Sequence, residues 1–155
     1  MTTRNELSVT CYIAATPAQV WDVLANRQAE WWCPAPWRVE LVVQEKRAGG
    51  RCHMVMHGPD GEEMPQEGIY LAWDEGRRIV STDALTGKFE PAGPFMVGLW
   101  EIAPEGDGTR YTARARHWTA EACEQHLPWA SNRAGIRWRT SSRHYAKRAH
   151  VRGHS

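Results

Sequence analysis

The stretch "RCHMVMH" at residues 51–57 holds two histidines and a cysteine, side-chain types that bind metals or act as nucleophiles and bases. Its alternation predicts a β-strand, in which His53 and His57 lie about 13 Å apart. That distance is too long for both imidazoles to bind one metal ion. Cys52 and His53 are neighbours and therefore point to opposite faces of the strand, so they do not form a nucleophile–base pair. The stretch predicts neither a metal site nor a catalytic pair.

The remaining polar residues offer one candidate for chemistry. The sequence contains no GxSxG nucleophile motif, no P-loop and no dinucleotide-binding glycine fingerprint. Glu62, Glu63 and Glu67 border a turn and are interpreted as solvated carboxylates rather than an acid–base pair. His117 is in phase with the apolar residues of the strand-like run 111–117, so we expect it to face the interior, where it would orient a ligand oxygen. The alternative is a structural histidine satisfied within the protein.

The first elements that could position these groups have clear sequence signals. "LSVTCYIAA" (7–15) alternates in the manner of a strand. The next segment, 16–26, predicts a helix that begins with Thr16 as its cap, Pro17 at its first position and Gln19 completing a capping box. "RQAEWW" predicts a second short helix, which the two prolines of "CPAP" end.

Strand-like runs separated by glycine, proline and Asp-Gly turns occupy most of the remaining chain. They lie at 37–46, 51–57, 63–73, 78–85, 95–103 and 109–118, and a capped helix starts at 119. Strands and helices do not alternate, which excludes a parallel dinucleotide-binding sheet. The pattern predicts an α+β fold: a curved antiparallel sheet of about six to seven strands that grips a C-terminal helix, with two short helices after the first strand.

Bulky aromatic side chains dominate the apolar residues. Nine tryptophans stand against two phenylalanines. In "RCHMVMH", alternation places Cys52, Met54 and Met56 on one face, which is the better candidate for the core or for a pocket. Methionine suits an irregular apolar cavity because its side chain is flexible. The alternative is that these residues only pack the core.

Several strings resemble one protein family. They are "TPAQVWDVLAN…EWWCP", "AGGRCHMVMHGPDGEEMPQEGIYLAW" and "GTRYTARARHWTAEACEQH", which together cover residues 7 to 126. They resemble the START-like (SRPBCC) helix-grip superfamily, and within it the bacterial branch related to the activator of the 90-kDa heat-shock chaperone's ATPase. The resemblance implies a hydrophobic cavity between a curved sheet and a long helix.

The resemblance implies a protein that binds a small, mostly apolar molecule. We expect its ligand-binding residues to be bulky apolar side chains and one polar group: Trp32, Trp37, Met54, Met56, Tyr70, Trp100 and His117. No catalytic residue, metal or cofactor is predicted. Two alternatives remain open, a cyclase- or hydrolase-like enzyme that uses the same cavity through His117, and a co-chaperone-like interaction domain.

The sequence also carries signals of location. The N-terminal stretch has no export signal and no run of about 18 apolar residues occurs, so we expect a cytoplasmic protein without a membrane span. The four cysteines have no CxxC spacing and are expected to be reduced. Nucleic-acid binding is not favoured, since only the C-terminal end is basic.

That basic end begins abruptly. All 18 acidic residues and 12 of the 19 Lys and Arg lie before residue 127, a net charge of −6, whereas residues 127–155 carry seven Lys and Arg and no acid. Pro128 and Gly135 interrupt any helix there, and no apolar stripe appears. We therefore divide the chain into a START-like domain, 1–126, and an atypical basic segment, 127–155. The segment is interpreted as a disordered basic tail, an arm for an anionic surface, or an altered closing helix.

A shifted reading frame would account for this segment. When the third base of each codon is read with the first two bases of the next, Pro128–Trp129 can encode Met, Trp129–Ala130 must encode Gly and Ala130–Ser131 can encode Phe. Suitable bases continue this text as "QPGWDTLADQLAALC", which is amphipathic and resembles the family's usual ending. Sequencing the gene tests the hypothesis: a single-base change near codon 126 should restore a long amphipathic helix, and the idea fails if none does.

Overall fold

The computed structural model describes residues 5–33, 35–93 and 96–125, together with the backbone of 148–151. Strand β1 (Asn5–Ile13) is followed by helices α1 (Pro17–Asn26) and α2 (Gln28–Trp31). The remaining strands are β2 (Arg38–Gln44), β3 (Arg51–His57), β4 (Glu63–Asp74), β5 (Arg78–Thr82), β6 (Met96–Glu105), β7 (Gly108–His117) and β8 (Arg148–Val151).

These strands form one antiparallel sheet in the order β2-β3-β4-β5-β6-β7-β1-β8. Six consecutive strands form a meander, and β1 joins its far end by pairing with β7 from Asn5↔His117 to Ile13↔Thr109. The predicted α+β fold, with a curved antiparallel sheet and two short helices after the first strand, is confirmed. Strand β8 was not predicted; its backbone pairs with the first half of β1.

Helix α1 begins as its sequence predicts. The Thr16 hydroxyl accepts a hydrogen bond from the backbone N–H of Gln19 at 3.2 Å, and the Gln19 side chain accepts one from the Thr16 N–H at 2.9 Å. This capping box satisfies two backbone groups that the start of a helix would otherwise leave unpaired. The helix buries Val20, Trp21 and Leu24, and these side chains join the main core.

Alternation along the strands separates a core face from an outer face. In β3, Cys52, Met54 and Met56 are buried, whereas Arg51 is exposed and His53 is partly exposed. The predicted face of Cys52, Met54 and Met56 is therefore the core face. Both short helices pack on this face, because their buried residues and those of the strands form one apolar cluster.

A carboxylate fixes the turn between β2 and β3. Glu45 Oε1 accepts hydrogen bonds from the backbone N–H of Arg51 at 2.9 Å and from its Nε at 2.8 Å. These bonds favour the ionised form and lower the pKa of Glu45 to about 2. Gly50 is required in this turn, since a Cβ there would lie 2.0 Å from the Glu45 carbonyl oxygen.

A second carboxylate joins α1 to the turn between β4 and β5. Glu75 accepts the indole N–H of Trp21 at 2.7 Å and that of Trp73 at 2.8 Å. The two indoles meet edge to face with ring centroids 5.9 Å apart. The hydrogen bonds from Trp73 and Trp21 lower the pKa of Glu75. One exposed carboxylate therefore holds the helix and the sheet together.

The predicted C-terminal helix begins where its cap indicates. Residues 120–125 are helical, and the Thr119 hydroxyl accepts a hydrogen bond from the N–H of Ala122 at 3.1 Å. The course of the chain over 126–147 and 152–155 lies outside the described residues. The interpretations of segment 127–155 as a tail, a surface arm or an altered closing helix remain predictions.

Glu75→Gln should reduce the free energy of unfolding at pH 7 by about 1 kcal/mol, because one indole N–H loses its charged acceptor at an exposed site. The folded-state pKa of Glu75 is lowered, so its contribution is complete above about pH 4.5 and decreases as the pH falls through that folded-state value. The difference between wild type and variant in urea unfolding should therefore shrink at pH 3. Glu90→Gln, an exposed loop carboxylate, is the control, and an equal difference at both pH values would contradict the assignment.

Candidate functional site

The sheet opens between β4 and β5. Strand β4 pairs with β3 from Glu63 to Ile69, but its described pairing with β5 starts only at Ile69↔Thr82 and runs in the other direction, to Asp74↔Arg78. Among the described residues, the first half of β4 therefore pairs with a strand on one side only, namely β3. The chain leaves β5 at Asp83. This arrangement creates a gap between the first half of β4 and the start of β6.

Gly68 permits the approach that borders this gap. A Cβ at Gly68 would lie 2.3 Å from the Thr82 carbonyl oxygen, a distance that no other residue type can accommodate without displacing a backbone. The Thr82 hydroxyl donates to the Met96 carbonyl oxygen at 3.1 Å, and Asp83 Oδ1 accepts from the Met96 N–H at 3.1 Å. The end of β5 is thus hydrogen-bonded to the start of β6.

A pocket of about 70 Å³ occupies the gap. Trp32, Cys52, Met54 and Met96 supply apolar and sulfur-containing lining, and the remaining described lining residues are Gln66, Glu67, Gly68, Ile69, Ser81, Thr82 and Asp83. Roughly 10–15 Å³ of such volume holds one water molecule, so the pocket accommodates about five or six water-sized groups. Sites that enclose a whole drug-sized ligand measure about 300 Å³ or more. The pocket is therefore suited to one end of a molecule.

Three tryptophans form the apolar wall. The rings of Trp31, Trp32 and Trp100 lie with centroids 5.6 to 5.8 Å apart. The Trp31 indole donates to the carbonyl oxygen of Val23 at 3.0 Å, which ties this wall to α1. The Trp100 ring lies over Gly98, where a Cβ would come within 2.5 Å of the indole. The wall is rigid because each indole packs against the other two.

A buried polar network lies next to the pocket. Gln28 Oε1 accepts hydrogen bonds from the Tyr70 hydroxyl at 3.1 Å and from Gln44 Nε2 at 2.8 Å, and Gln44 Nε2 also donates to the Tyr70 oxygen at 3.1 Å. The Cys52 thiol lies beside Tyr70 and Gln28, and its interactions with them oppose part of the rise in its pKa that burial causes. Three neutral side chains from α2, β2 and β4 thus satisfy one another's hydrogen bonds beside the Cys52 thiol, which fixes α2 on the sheet.

The Tyr70 hydroxyl and the Cys52 thiol both stay protonated at neutral pH. Burial raises the pKa of the Tyr70 hydroxyl and that of the Cys52 thiol. A raised thiol pKa disfavours the thiolate that a nucleophilic cysteine needs. Cys52 therefore contributes to the lining as a small neutral group. His53 points to the outer face, as the strand alternation predicted.

The structure brings two of the predicted ligand-binding residues to the pocket, Trp32 and Met54. The others lie close by on the core face: Trp100 in the tryptophan wall, Tyr70 in the polar network, Met56 buried beyond Met54 and Trp37 half-buried against the core. His117 is buried directly opposite Met96 in the β6–β7 ladder, and it is not among the lining residues. The sequence-based selection missed the wall of Ser81, Thr82 and Asp83.

The described residues contain neither a cluster that could hold a metal ion nor a helix that could cross a membrane. Within residues 5–33, 35–93 and 96–125, no three His, Cys, Asp or Glu side chains converge in a way that could hold a metal ion. His57 instead lies 3.0 Å from Glu40 and 3.8 Å from Glu63 on the outer face. No helix in the described parts of the chain is long and apolar enough to cross a membrane.

Comparison with known families accounts for this architecture. The model of the activator of Hsp90 ATPase homolog 1-like proteins matches residues 14–142, most of the chain. The chain belongs to this family. The resemblance noted in the sequence is thus confirmed, and the helix-grip arrangement of sheet and short helices is that of an activator of Hsp90 ATPase homolog 1-like domain.

Solved structures agree with the family assignment. Protein NE0264 from Nitrosomonas europaea is 29% identical with a TM-score of 0.76, over 83% of this chain and 88% of that chain. Protein Ms6760 from Mycobacterium smegmatis is 26% identical with a TM-score of 0.64, over 84% and 87%. The AHSA1 protein from Silicibacter pomeroyi shares the fold at 14% identity, with a TM-score of 0.67 over 83% and 92%. No functionally curated protein matches the sequence significantly.

Tyr70→Phe should lower the free energy of unfolding at pH 7 by about 1 to 2 kcal/mol, because Gln28 and Gln44 each lose a buried partner. Tyr70 ionises at higher pH in the folded chain than in the unfolded chain, so wild-type stability falls as the pH rises above the ordinary value of 10.0. The difference in the free energy of unfolding between wild type and variant, measured by urea unfolding, should therefore become smaller above that pH. Tyr12→Phe, outside the network, is the matched control; a loss as large in the control would contradict the role of the network.

Proposed function

We propose that this domain binds a small amphipathic molecule and that the pocket between β4, β5 and β6 receives one end of it. The observation that carries the proposal is the lining, in which the apolar or sulfur-containing residues Trp32, Met54 and Met96 occur together with the polar residues Ser81 and Asp83. An apolar cavity with a few convergent polar groups is the usual form of a small-molecule site.

Most residues of the tryptophan wall and of the polar network lie behind the pocket lining and hold it in position. Trp100 packs on Trp32 at 5.6 Å, and Tyr70 is hydrogen-bonded to Gln28 in the helix that ends beside Trp32. We therefore assign contact with the ligand to Trp32 and Met54, and assign positioning to Trp100 and Tyr70. A rigid, preorganised wall lowers the entropy that binding costs.

The pocket volume sets the affinity expected of a short probe. Burying four methylene-sized groups contributes roughly 3 kcal/mol at about 0.8 kcal/mol per group. Ordering of the probe opposes part of this gain. Dissociation constants for four-carbon molecules should therefore be in the millimolar range or weaker, which is accessible to NMR titration.

The test is a titration of ¹⁵N-labelled protein with 1-butanol, a neutral four-carbon probe. We expect saturable shifts at the Trp32 indole N–H and at the amides of Cys52, Thr82 and Met96. Ser81→Leu, which fills the pocket from strand β5, should weaken the apparent affinity about tenfold or more.

Ser8→Leu is the matched control, because it makes the same change on the outer face of β1. If Ser81→Leu fails to fold, Trp32→Phe, which reduces the apolar wall, takes its place and should also weaken binding. Shifts scattered over the surface, or shifts that both pocket variants leave unchanged, would overturn the proposal.

A further inference from the structure

We propose that the ligand enters the pocket from the outer face of the sheet and that its inner end is an unbranched alkyl chain. This inference rests on the proposed function and specifies both the route of entry and the end of the molecule that is buried. Three observations lead to it: the faces to which the lining residues belong, the exposure of those residues and the chemistry of the closed end.

The pocket is lined by residues from both faces of the sheet. Cys52 and Met54 belong to the core face. Ile69 lies opposite Arg51 of β3 and opposite Thr82 of β5, and Arg51 is exposed on the outer face. Directly paired residues point to the same side of a sheet, so Ile69 and Thr82 belong to the outer face. The pocket therefore extends from the core face to the outer face through the gap between β4 and β6.

The exposure of the lining residues indicates where the pocket opens. Trp32, Cys52 and Met54 are buried and form the end on the core face. Among the described lining residues, only Glu67 is exposed. Glu67 belongs to the outer face, because it lies opposite His53 in the β3–β4 ladder. The described lining is thus closed on the core side and reaches solvent beside Glu67, at what we call the mouth.

A short hairpin over 84–92 borders the mouth. Its two sides are joined by a hydrogen bond from the Ala92 N–H to the Ala84 carbonyl oxygen at 2.9 Å. Glu67 Oε1 accepts the Gly87 N–H at 2.8 Å, which attaches the hairpin to the first half of β4. The mouth is bordered by backbone groups and a carboxylate that are in contact with water. The polar end of a ligand would therefore stay hydrated there.

The closed end suits an alkyl chain. Trp32 and Met54 are bulky and apolar, and burial raises the pKa of the Cys52 thiol, which stays neutral and is a weak hydrogen-bond donor. A hydroxyl placed there would exchange its hydrogen bonds to water for weaker ones. An alkyl end gives up no hydrogen bond, and the flexible methionine side chain fits around it. The alkyl end is therefore the inner one.

The size of the pocket limits the length of the buried chain. A volume of about 70 Å³ accommodates about five or six water-sized groups, which corresponds to a chain of about five or six carbons. Each methylene group that is buried should increase the affinity about fourfold. Further methylene groups would remain at the mouth and contribute less. The affinity should therefore rise steeply up to about six carbons and only slightly beyond.

The first experiment compares four unbranched probes: 1-butanol, 1-hexanol, 1-octanol and 1,4-butanediol. Each is titrated into ¹⁵N-labelled full-length protein at pH 7, and shifts of the Trp32 indole N–H and of the Thr82 and Met96 amides report binding at the pocket. We expect 1-hexanol to bind about tenfold more tightly than 1-butanol, and 1-octanol to gain at most about fourfold more. 1,4-Butanediol should bind about tenfold more weakly than 1-butanol, because its second hydroxyl must enter the closed end.

A variant with a polar closed end identifies the cause of this preference. Cys52→Ser replaces a weakly hydrogen-bonding thiol with a hydroxyl of similar shape, so it should reduce the preference for 1-butanol over 1,4-butanediol several-fold. Cys11→Ser makes the same change on β1, outside the described lining, and should leave the preference unchanged. The comparison of the four probes in the wild-type protein does not depend on either variant.

The second experiment tests the route of entry, with 1-hexanol labelled with ¹³C at the carbon that bears the hydroxyl group. We expect intermolecular NOEs from that methylene group to the Thr86 methyl group and to the Gly87 amide, both in the hairpin at the mouth. Met64 lies opposite Met56 on the core face and is 49% exposed. NOEs to the Met64 ε-methyl group instead would show entry from the core face and would contradict the proposed route.

The outcomes separate this inference from the proposed function. If 1-butanol binds at the pocket and 1,4-butanediol binds equally well or better, the hydroxyl is directed inward and the inference fails while the ligand-binding function stands. If the affinity keeps rising about fourfold per methylene group up to 1-octanol, the chain is not confined to this pocket and the inference also fails. If none of the four probes binds, the proposed function fails and takes this inference with it.

Discussion

The close approach of Gly68 to the Thr82 carbonyl oxygen is the constraint on which the candidate site depends. A Cβ at position 68 would lie 2.3 Å from that oxygen, so the approach is possible only for glycine. It occurs at the last described β4–β5 pair, Ile69↔Thr82. Beyond it the two strands separate and the chain turns away at Asp83. The sheet thereby gains an opening beside its core face, and the walls of that opening are the end of β5, the first half of β4 and the start of β6.

The wall that contains Trp32 is stabilised by side-chain packing and hydrogen bonds rather than by a close backbone approach. The tryptophan cluster supplies apolar area, and the network of Gln28, Gln44 and Tyr70 fixes the helix that carries Trp31 and leads into Trp32. A buried network of this kind stabilises only while each member has its partners. Glu75 adds a second link, from α1 to the turn after β4. The pocket therefore lies between a backbone constraint on one side and side-chain packing on the other.

Most of the fold could be predicted from the sequence because its signals are local. The capping box of Thr16 and Gln19 fixes the start of α1, and alternation in "RCHMVMH" assigns its two faces correctly. The order of strands follows from turn residues between short alternating runs. Strand β8 could not be predicted, since the basic segment that contains it has no alternating pattern and its pairing with β1 is a long-range property.

The candidate site could be predicted only in part, for a related reason. Trp32 and Met54 are bulky and apolar, so composition and alternation identify them. Ser81, Thr82 and Asp83 appeared to belong to a strand over 78–85, whereas β5 ends at Thr82. These residues line the pocket because β5 ends there and β4 diverges from it. Neither event produces a recognisable pattern within five or six residues of sequence. Gly68 was the one local signal available, because a glycine within a strand indicates a close backbone approach.

The central claim is that the opening in the sheet receives one end of a small amphipathic ligand. Its most direct test is the measurement of intermolecular NOEs between the protein and 1-butanol labelled with ¹³C at its methyl carbon. The account predicts NOEs from that methyl group to the Trp32 indole and to the Thr82 methyl group. NOEs confined to exposed apolar side chains such as Val42, Leu71 and Trp118 would show that the molecule binds the surface without specificity, and would contradict it.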